Sequence, residues 1–424
     1  MAKSLQSVKG MNDLLPDSTP YWQQVESALR RIAQQYSYAE IRTPILEKTE
    51  LFVQAIGEQT DIVEKEMFAF EDAGGEHVCM RPENTAAVVR AGVQHGLFHN
   101  AQARLWYLGL MFRRERPQKG RYRQFYQFGM EAFGWRDASV DAEIIIAGKR
   151  IWSDLGVQDV SLSLNTLGSD KTREDYKAAL LDYLSKHFDE LDADSQRRLT
   201  KNPLRILDSK NETTQSILVN APTISDYLEP EDKTHFTELQ NLLNAAGVEY
   251  VIDAALVRGL DYYTSTVFEW KTTRLGAQNT VCAGGRYDKL VEGRGGKPTP
   301  AVGFAMGIER LIELLLEEGN LQSHAKLDAY IIALDASAVS SAQQLSESCR
   351  NVGLNVAQGH GHAKLKSQLK KADSSGAEIA VILGEQELAH HQGQVKYLRQ
   401  NRESEMITLD KISDVIQLHV NSAH

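Results

Sequence analysis

WYLGLMFRRERPQKGRYRQFYQFGMEAF, residues 106–133, reads as two strands joined by a turn, and its two faces differ in kind. Successive side chains of a strand point to opposite sides of a sheet. Trp106, Leu108, Leu110 and Phe112 therefore form one strongly apolar face, against Tyr107, Gly109, Met111 and Arg113 on the other. In the second strand Arg121, Arg123, Phe125, Gln127, Gly129, Glu131 and Phe133 fall together, opposite Tyr122, Gln124, Tyr126, Phe128, Met130 and Ala132. Pro117 and Gly120 in ERPQKGR supply the turn. One face is core, and the opposite face could be no more than a solvated sheet surface. It also carries two glycines, which within strands mark close approach of another group, and aromatics beside arginines, which can stack a planar base. Six basic residues and one acid between Arg113 and Arg123 make phosphate the natural guest.

Working outward, Trp22, Val25, Leu29, Ile32, Ala33 and Tyr36 recur at helical spacing, and Glu40–Leu46 reads as a strand that Pro44 confines to a sheet edge. A short helix is expected near 85–95 and another over 140–155. Between about 170 and 246 the chain turns polar and helical, as in TREDYKAALLDYLSKHFDEL, before strand and glycine signals return at Tyr250. A helical domain inserted into a β-containing one fits this order. The helix Ile308–Glu318 ends near Gly319, and NLQSHAKLD reads as a linker. Strands and helices then alternate through DAYIIAL, SSAQQLSESCRNVG, LNVAQG, KLKSQLKKADSSG and EIAVILG, the pattern of a small α/β domain with a partly parallel sheet. The expected organisation is α+β, with a β-containing domain over 1–325 that carries the helical insertion, and an α/β domain over 326–424.

Composition narrows the function classes. The 424 residues suffice for two or three domains at about 150 residues each. Forty-seven basic against 57 acidic residues give a net charge of −10, which excludes a uniformly basic nucleic-acid binder but leaves room for a local basic site. Cys79, Cys282 and Cys349 are far apart and form no C-x-x-C pair, so neither a disulfide framework nor a thiolate zinc site is indicated. No apolar run approaches membrane-spanning length, and the first residues lack a secretory signal's apolar stretch, so a cytoplasmic protein is expected.

Further glycine-bearing stretches stand out: LVRGLDYY (256–263), CAGGRYDKLV (282–291) and GFAMGIER (303–310). None is a P-loop or a dinucleotide fingerprint. Arg310 falls in the first turn of a helix, where the dipole prefers anions, so it is read either as a surface arginine paired with Glu309 or Glu313 or as a ligand for an anion.

Together these segments resemble a known set. FRRERPQKGRYRQF is similar to motif 2 of the class II aminoacyl-tRNA synthetases, GFAMGIER to motif 3, and the helix leading to Pro44 to motif 1. LVRGLDYY and AGGRYD resemble the two signatures of the histidyl-tRNA synthetase family, and RPENTA (81–86) resembles its RPEGTA segment. The resemblance spans almost the whole chain. It implies an antiparallel catalytic sheet with a helical insertion, a homodimer with motif 1 at its interface, and a C-terminal anticodon-binding domain. In the implied reaction the L-histidine carboxylate attacks the α-phosphorus of ATP, with Mg2+, giving histidyl-adenylate and pyrophosphate, and the 3' end of tRNA(His) then takes the histidyl group as AMP leaves.

By the same resemblance Arg113 and Arg258 act at the α-phosphate as catalytic groups, Phe125 and Arg310 sandwich adenine, and Glu115 and Arg121 contact adenine and the phosphates. Glu83, Thr85 and Gln127 receive the α-amino group of histidine. Glu131 and Tyr263 bond its imidazole nitrogens, with Tyr262 and Tyr287 lining the pocket. Arg116 and Gln118 in the motif 2 turn meet the tRNA acceptor end. Lys364, Lys366, Lys370 and Lys371 are either anticodon-stem contacts or a solvated helix face. His360, His362, His390 and His391 show no spacing that completes a metal site, and no protein-bound metal is expected. Two positions depart from the family pattern. Asn84 replaces a glycine, as asparagine does best at positive φ, and Lys289 replaces a glycine away from the pocket. The strongest competitor is the inactive paralogue that regulates ATP phosphoribosyltransferase, which lacks the anticodon-binding domain and erodes the ATP-binding arginines; here Arg113, Arg258 and Arg310 are retained.

Overall fold

The computed structural model describes residues 4–58, 60–275, 279–321, 327–360 and 364–422. The chain divides into two compact units, residues 1–322 and 323–424.

In the first unit the strands are β1 (Ala39–Glu40), β2 (Leu46–Lys48), β3 (Phe68–Glu71), β4 (His77–Met80), β5 (Ala103–Phe112), β6 (Gln124–Phe133), β7 (Ser161–Thr166), β8 (Val251–Ile252), β9 (Thr266–Lys271), β10 (Thr280–Arg286) and β11 (Ala301–Gly307). Eight of them make one sheet in the order β1-β5-β6-β11-β10-β9-β7-β8. The six central strands are antiparallel, while the outermost pairs, β1 with β5 and β7 with β8, are parallel. The expected antiparallel sheet is therefore mixed at its edges. A small antiparallel sheet, β2-β4-β3, stands beside it.

The helices are α1 (Thr19–Gln35), α2 (Thr49–Ile56), α3 (Thr85–Gln94), α4 (Ala138–Leu155), α5 (Asp170–Ser185), α6 (Ala193–Lys201), α7 (Glu212–Leu218), α8 (Pro230–Ala245) and α9 (Ile308–Glu318). Two apolar clusters divide along the alternation of the strands. Trp106, Phe128, Met130 and Ala132 pack with the buried faces of α1, α4 and α9. Tyr107, Met111 and Phe133 join α2, α3 and the inserted helices α5 and α6 in the second cluster. The insertion α5–α8 lies between β7 and β8.

The expected strand Glu40–Leu46 is split. Arg81 diverts it, because its Nη1 donates to Thr43 O at 2.8 Å and Pro44 O at 3.3 Å while its backbone N donates to Ile45 O at 2.9 Å. Residues 39–40 join the large sheet and 46–48 the small one.

The second unit holds β12 (Ala329–Ala333), α10 (Val339–Asn351), β13 (Val356–Gln358), α11 (Leu365–Ser374), β14 (Ile379–Leu383), α12 (Glu385–Ala389), β15 (Gln392–Tyr397), β16 (Glu405–Thr408) and α13 (Ile412–Ser422). β12 runs parallel to β13 and β14, and β15 and β16 add antiparallel pairs.

Candidate active site

The hairpin β5–β6 carries the alternation expected of it. Tyr107 faces Gly129, Gly109 faces Gln127, Met111 faces Phe125 and Leu105 faces Glu131. The close approach at the two glycines is made by protein groups. A Cβ on Gly109 would lie 2.5 Å from Arg81 Nη2, and one on Gly129 would run into the Tyr107 ring. The strands end at Phe112 and begin at Gln124, so the alternation does not extend to Arg121 and Arg123 as the sequence suggested. Between them, Gln118 and Arg121 exchange backbone hydrogen bonds of 3.0 and 2.9 Å around Lys119 and Gly120, whose φ is +66°.

Of the six basic residues in this loop, only Arg113 and Arg121 line the cavity of about 720 Å³ above the hairpin. Lys119 pairs with Glu313 at 3.5 Å and also with Glu317. Arg123 Nε donates to Glu115 O at 3.2 Å and its backbone N to Gly10 O at 2.7 Å. Arg116 and Gln118 are exposed on the loop, outside that cavity.

The cavity gathers guanidinium groups from four separate segments, which carry Arg113 and Arg121, Arg205, Arg258 and Arg310. Arg113 donates from Nε to Pro82 O at 2.9 Å and lies 5.3 Å from the Phe125 ring centroid. Glu115 stands 2.7 Å from Arg121 and 3.9 Å from Arg113. Arg258 is ion-paired to Glu269, and its guanidinium is 5.6 Å from the Tyr263 ring centroid. Glu269 is held in turn by the Thr280 hydroxyl at 2.9 Å. Arg310 is buried in the cavity wall, which overturns its reading as a surface residue. Burial, and then the like charge of Arg121, push its guanidinium below the usual range, with Glu115 opposing. Glu309 receives the Tyr126 backbone N at 2.9 and 3.0 Å, and so continues the ladder of β6 past the end of β11. Burial pushes the Glu309 carboxyl up to about 8.

A second group of side chains in the same cavity is uncharged or carboxylic. Glu83 caps α3, accepting from Thr85 N at 2.6 Å and Ala86 N at 3.0 Å. Burial raises its carboxyl and those two amides oppose the rise. Glu131 accepts from the Thr85 hydroxyl at 2.7 Å and from the Tyr287 hydroxyl, and burial pushes it up to about 8. Gln127 Oε1 accepts from the Tyr107 hydroxyl at 3.1 Å and from Asn84 N at 3.2 Å. Tyr262 lies tilted against Tyr263 at 4.7 Å and meets Tyr287 edge-on at 5.6 Å between centroids.

Asn84 does not occupy the positive-φ region expected of it; its φ is −116°. Its side chain explains the residue instead, since Oδ1 accepts from the Thr43 hydroxyl at 2.6 Å and Arg81 Nη1 at 3.1 Å. Arg81 and Glu269 were not singled out by sequence reasoning, and Glu309 entered it only as an ion-pair partner offered to Arg310, whereas it accepts from the Tyr126 backbone. Of the first two, Glu269 alone left a trace, as a single acid in the apolar strand TVFEWK. The insertion also lines the cavity, through Arg205, Asp208 and Lys210. Among the described residues no group of three or more His, Cys, Asp or Glu could hold a metal ion, and His362 lies outside them. Likewise no described helix is long and apolar enough to cross a membrane.

Residues 10–311 match the family model described as histidyl-tRNA synthetase, and residues 328–419 match that of the anticodon binding domain. This chain belongs to the histidyl-tRNA synthetase family. The crystal structure of apo Staphylococcus aureus histidyl-tRNA synthetase is similar at TM-score 0.83 and 35% identity, covering 98% of this chain and 100% of that one. That of histidyl-tRNA synthetase from Nostoc sp. shares the fold at TM-score 0.71 and 21% identity, over 98% and 100% of the two chains. The fold is shared too by a Bacillus halodurans protein described as an ATP phosphoribosyltransferase regulatory subunit/histidyl-tRNA synthetase, at TM-score 0.67 and 23% identity, over 91% and 99%. The class II architecture, with a catalytic sheet and a C-terminal anticodon-binding domain, is thus that of histidyl-tRNA synthetases.

Proposed function

We propose that the chain is a histidine–tRNA ligase that activates L-histidine with ATP and transfers it to the 3' end of tRNA(His). The observation that carries this reading is the convergence of Arg113, Arg121, Arg258 and Arg310 on one cavity that also holds the buried Glu131, Thr85 and Tyr287 network. Negative charge accumulates on phosphate oxygens when a carboxylate attacks the α-phosphorus, so fixed cations stabilise that transition state. Arg113 and Arg258 are assigned to the α-phosphate, Phe125 and Arg310 to adenine, and Glu115 and Arg121 to adenine and the bent phosphates. Mg2+ enters with the triphosphate as part of the substrate; such an ion needs only one or two protein carboxylates beside the phosphates.

Glu83, Thr85 and Gln127 are assigned to the amino end of histidine, Glu131 and Tyr263 to its ring, and Tyr262 and Tyr287 to the pocket wall. Buried polar partners for both ring nitrogens leave unsatisfied groups when an apolar analogue enters, which discriminates by about 10⁴- to 10⁵-fold. The anticodon-binding family match and the exposed Arg116 and Gln118 support tRNA as the acceptor. We assign a homodimer, supported by the exposed Ile45 and Leu46 near Pro44, and a cytoplasmic setting, where the three free cysteines stay reduced.

ATP–pyrophosphate exchange measured with every standard amino acid tests the reading, and exchange with histidine alone is expected. Histidine binding without exchange would transfer the chain to the regulatory class. Arg258→Ala is expected to lower exchange by about 100- to 1000-fold, with histidine affinity held within about tenfold. An unchanged exchange rate in that variant removes Arg258 from the chemistry.

A further inference from the structure

Arg258, Tyr262 and Tyr263 all sit on a connection, residues 253–265, that has no helix or strand of its own between β8 and β9. Catalytic geometry built on irregular backbone needs tethers, because a displacement of about 1 Å costs about 100-fold in rate. The backbone tethers near the tyrosines are Asp261 N to Ile56 O at 3.0 Å, Thr264 N to Arg286 O at 2.8 Å and Leu167 N to Ser265 O at 2.8 Å. Two further tethers come from the inserted helices. Arg173 on α5 donates from Nη1 to Tyr263 O at 2.8 Å. Arg205, in the 3-10 turn Pro203–Ile206 that follows α6, donates from Nη2 to Asp261 Oδ1 at 3.1 Å. Arg173 is itself held by Asp170, and the same carboxylate pairs with Lys289 of the second signature. Lys289, which stands away from the pocket, is thereby tied through Asp170 and Arg173 to the carbonyl of a pocket tyrosine.

We infer that Arg173 and Arg205 are positioning residues through which the inserted helical domain holds the Arg258–Tyr263 segment in register with the rest of the site. The inference rests on the ligase reading above and adds to it a role for the insertion. Arg173 acts next to Tyr263 and so bears on histidine, while Arg205 acts on Asp261 and steadies the stretch that leads back to Arg258. Neither arginine need touch substrate. Both side chains are about one-fifth exposed, at 22% and 20%, so truncating them leaves no sealed cavity in the core.

The test combines histidine binding by calorimetry, exchange kinetics and thermal melting on the full-length wild type, Arg173→Ala, Arg173→Lys and Arg205→Ala. Arg173→Ala is expected to raise both the Kd and the KM for histidine about tenfold, the loss of about 1.4 kcal/mol, with the KM for ATP unchanged. Arg173→Lys, which keeps one donor for the carbonyl, should recover part of that loss. Arg205→Ala is expected to lower kcat more than it raises the KM for histidine. Unchanged histidine affinity in Arg173→Ala overturns the inference, and so do parallel losses for both substrates accompanied by a fall in melting temperature. Wild type that binds histidine without exchange overturns the ligase reading alone, because the Kd comparison still decides the role of Arg173. Wild type that binds no histidine overturns both.

Discussion

Arg286 and Tyr287 are neighbours in sequence that serve opposite faces of the same sheet. Arg286, 2% exposed, turns toward α4 and spends its donors on the protein: Nε to Asp141 Oδ2 at 2.9 Å, Nη1 to Trp135 O at 3.0 Å and Nη2 to Asp137 O at 3.0 Å. Tyr287 turns toward the cavity and meets Glu131. The guanidinium groups on the cavity side are arranged differently. Arg113 has one hydrogen bond to a carbonyl and a carboxylate 3.9 Å away, and Arg258 relies on Glu269. A guanidinium has five donors in a fixed fork. Where protein acceptors take most of them the residue is structural, and where they face open volume it is available to an anion. Sequence position does not separate the two; the count of acceptors does.

Removing the partner of the structural arginine should have the largest effect. Asp141 is fully buried and accepts from Arg286 while also meeting His235 Nε2 at 2.7 Å. Asp141→Ala leaves the buried Arg286 with only the more exposed Asp288 carboxylate, 3.3 Å from its Nη1, as counter-charge, and the loss is expected at the low end for a broken buried pair, about 3 kcal/mol. Urea unfolding should report that loss, whereas the KM for ATP of the protein that remains folded should stay within about twofold of wild type, since the change is on the far side of the sheet. A loss below about 1 kcal/mol would mean that Arg286 is no better paired than a surface residue.

The cavity face should betray itself by pH. Burial holds the Glu131 carboxyl up at about 8, while in the unfolded chain it titrates near 4.5. The folded state therefore binds a proton that the unfolded state has released. The stability contributed by the neutral carboxyl is complete below 4.5 and is lost as pH rises through about 8. The slope is at most about 1.4 kcal/mol per pH unit for one group. Glu309, also raised to about 8, adds a second contribution of the same sign. Glu131→Gln should flatten one part of the decline in unfolding free energy across that window and leave the Glu309 part. A variant with the wild-type slope would show that Glu131 is already ionised at low pH, and would remove the contrast between the neutral cavity floor and the paired arginine behind it.

How far the sequence reveals this arrangement depends on the signal each residue leaves. The hairpin was legible because Trp106, Leu108, Phe128 and Met130 keep a period of two, and the long helices because their apolar stripes repeat. The alternation could not show where pairing stops, so Arg121 and Arg123 were placed on a face that ends at Gln124. β15 and β16 left little trace, since QGQVKY and EMIT carry few of the apolar residues that mark a strand. Single buried charges were the least legible. Arg81 looks like any surface arginine in RPENTA, yet it holds Thr43, Asn84 and Leu110 O together and breaks an expected strand. Apart from Asn84, three residues on, its partners lie 29 to 38 residues away, which no local pattern encodes.

The smallest effect on activation is expected from the loop above the cavity, and it sharpens the comparison by adding a cationic region that belongs to neither class. Arg116 and Gln118 are exposed, beside a turn closed by backbone hydrogen bonds, and do not line the cavity that Arg113 and Arg121 enter. Their side chains can leave without disturbing the turn, whose closure uses only main-chain atoms of Gln118 and Arg121. The double variant Arg116→Ala with Gln118→Ala should keep histidine-dependent pyrophosphate exchange within about twofold of wild type, as expected for surface substitutions worth at most about 0.5 kcal/mol. Aminoacylation of tRNA should fall by about tenfold or more, because an arginine contact to the acceptor end is worth about 1–3 kcal/mol. Equal losses in both assays would place the two residues with Arg113 in the activation chemistry. Equal retention would leave the acceptor end to be read elsewhere, with the insertion next in line, since Arg205 and Lys210, between α6 and α7, already reach the cavity wall.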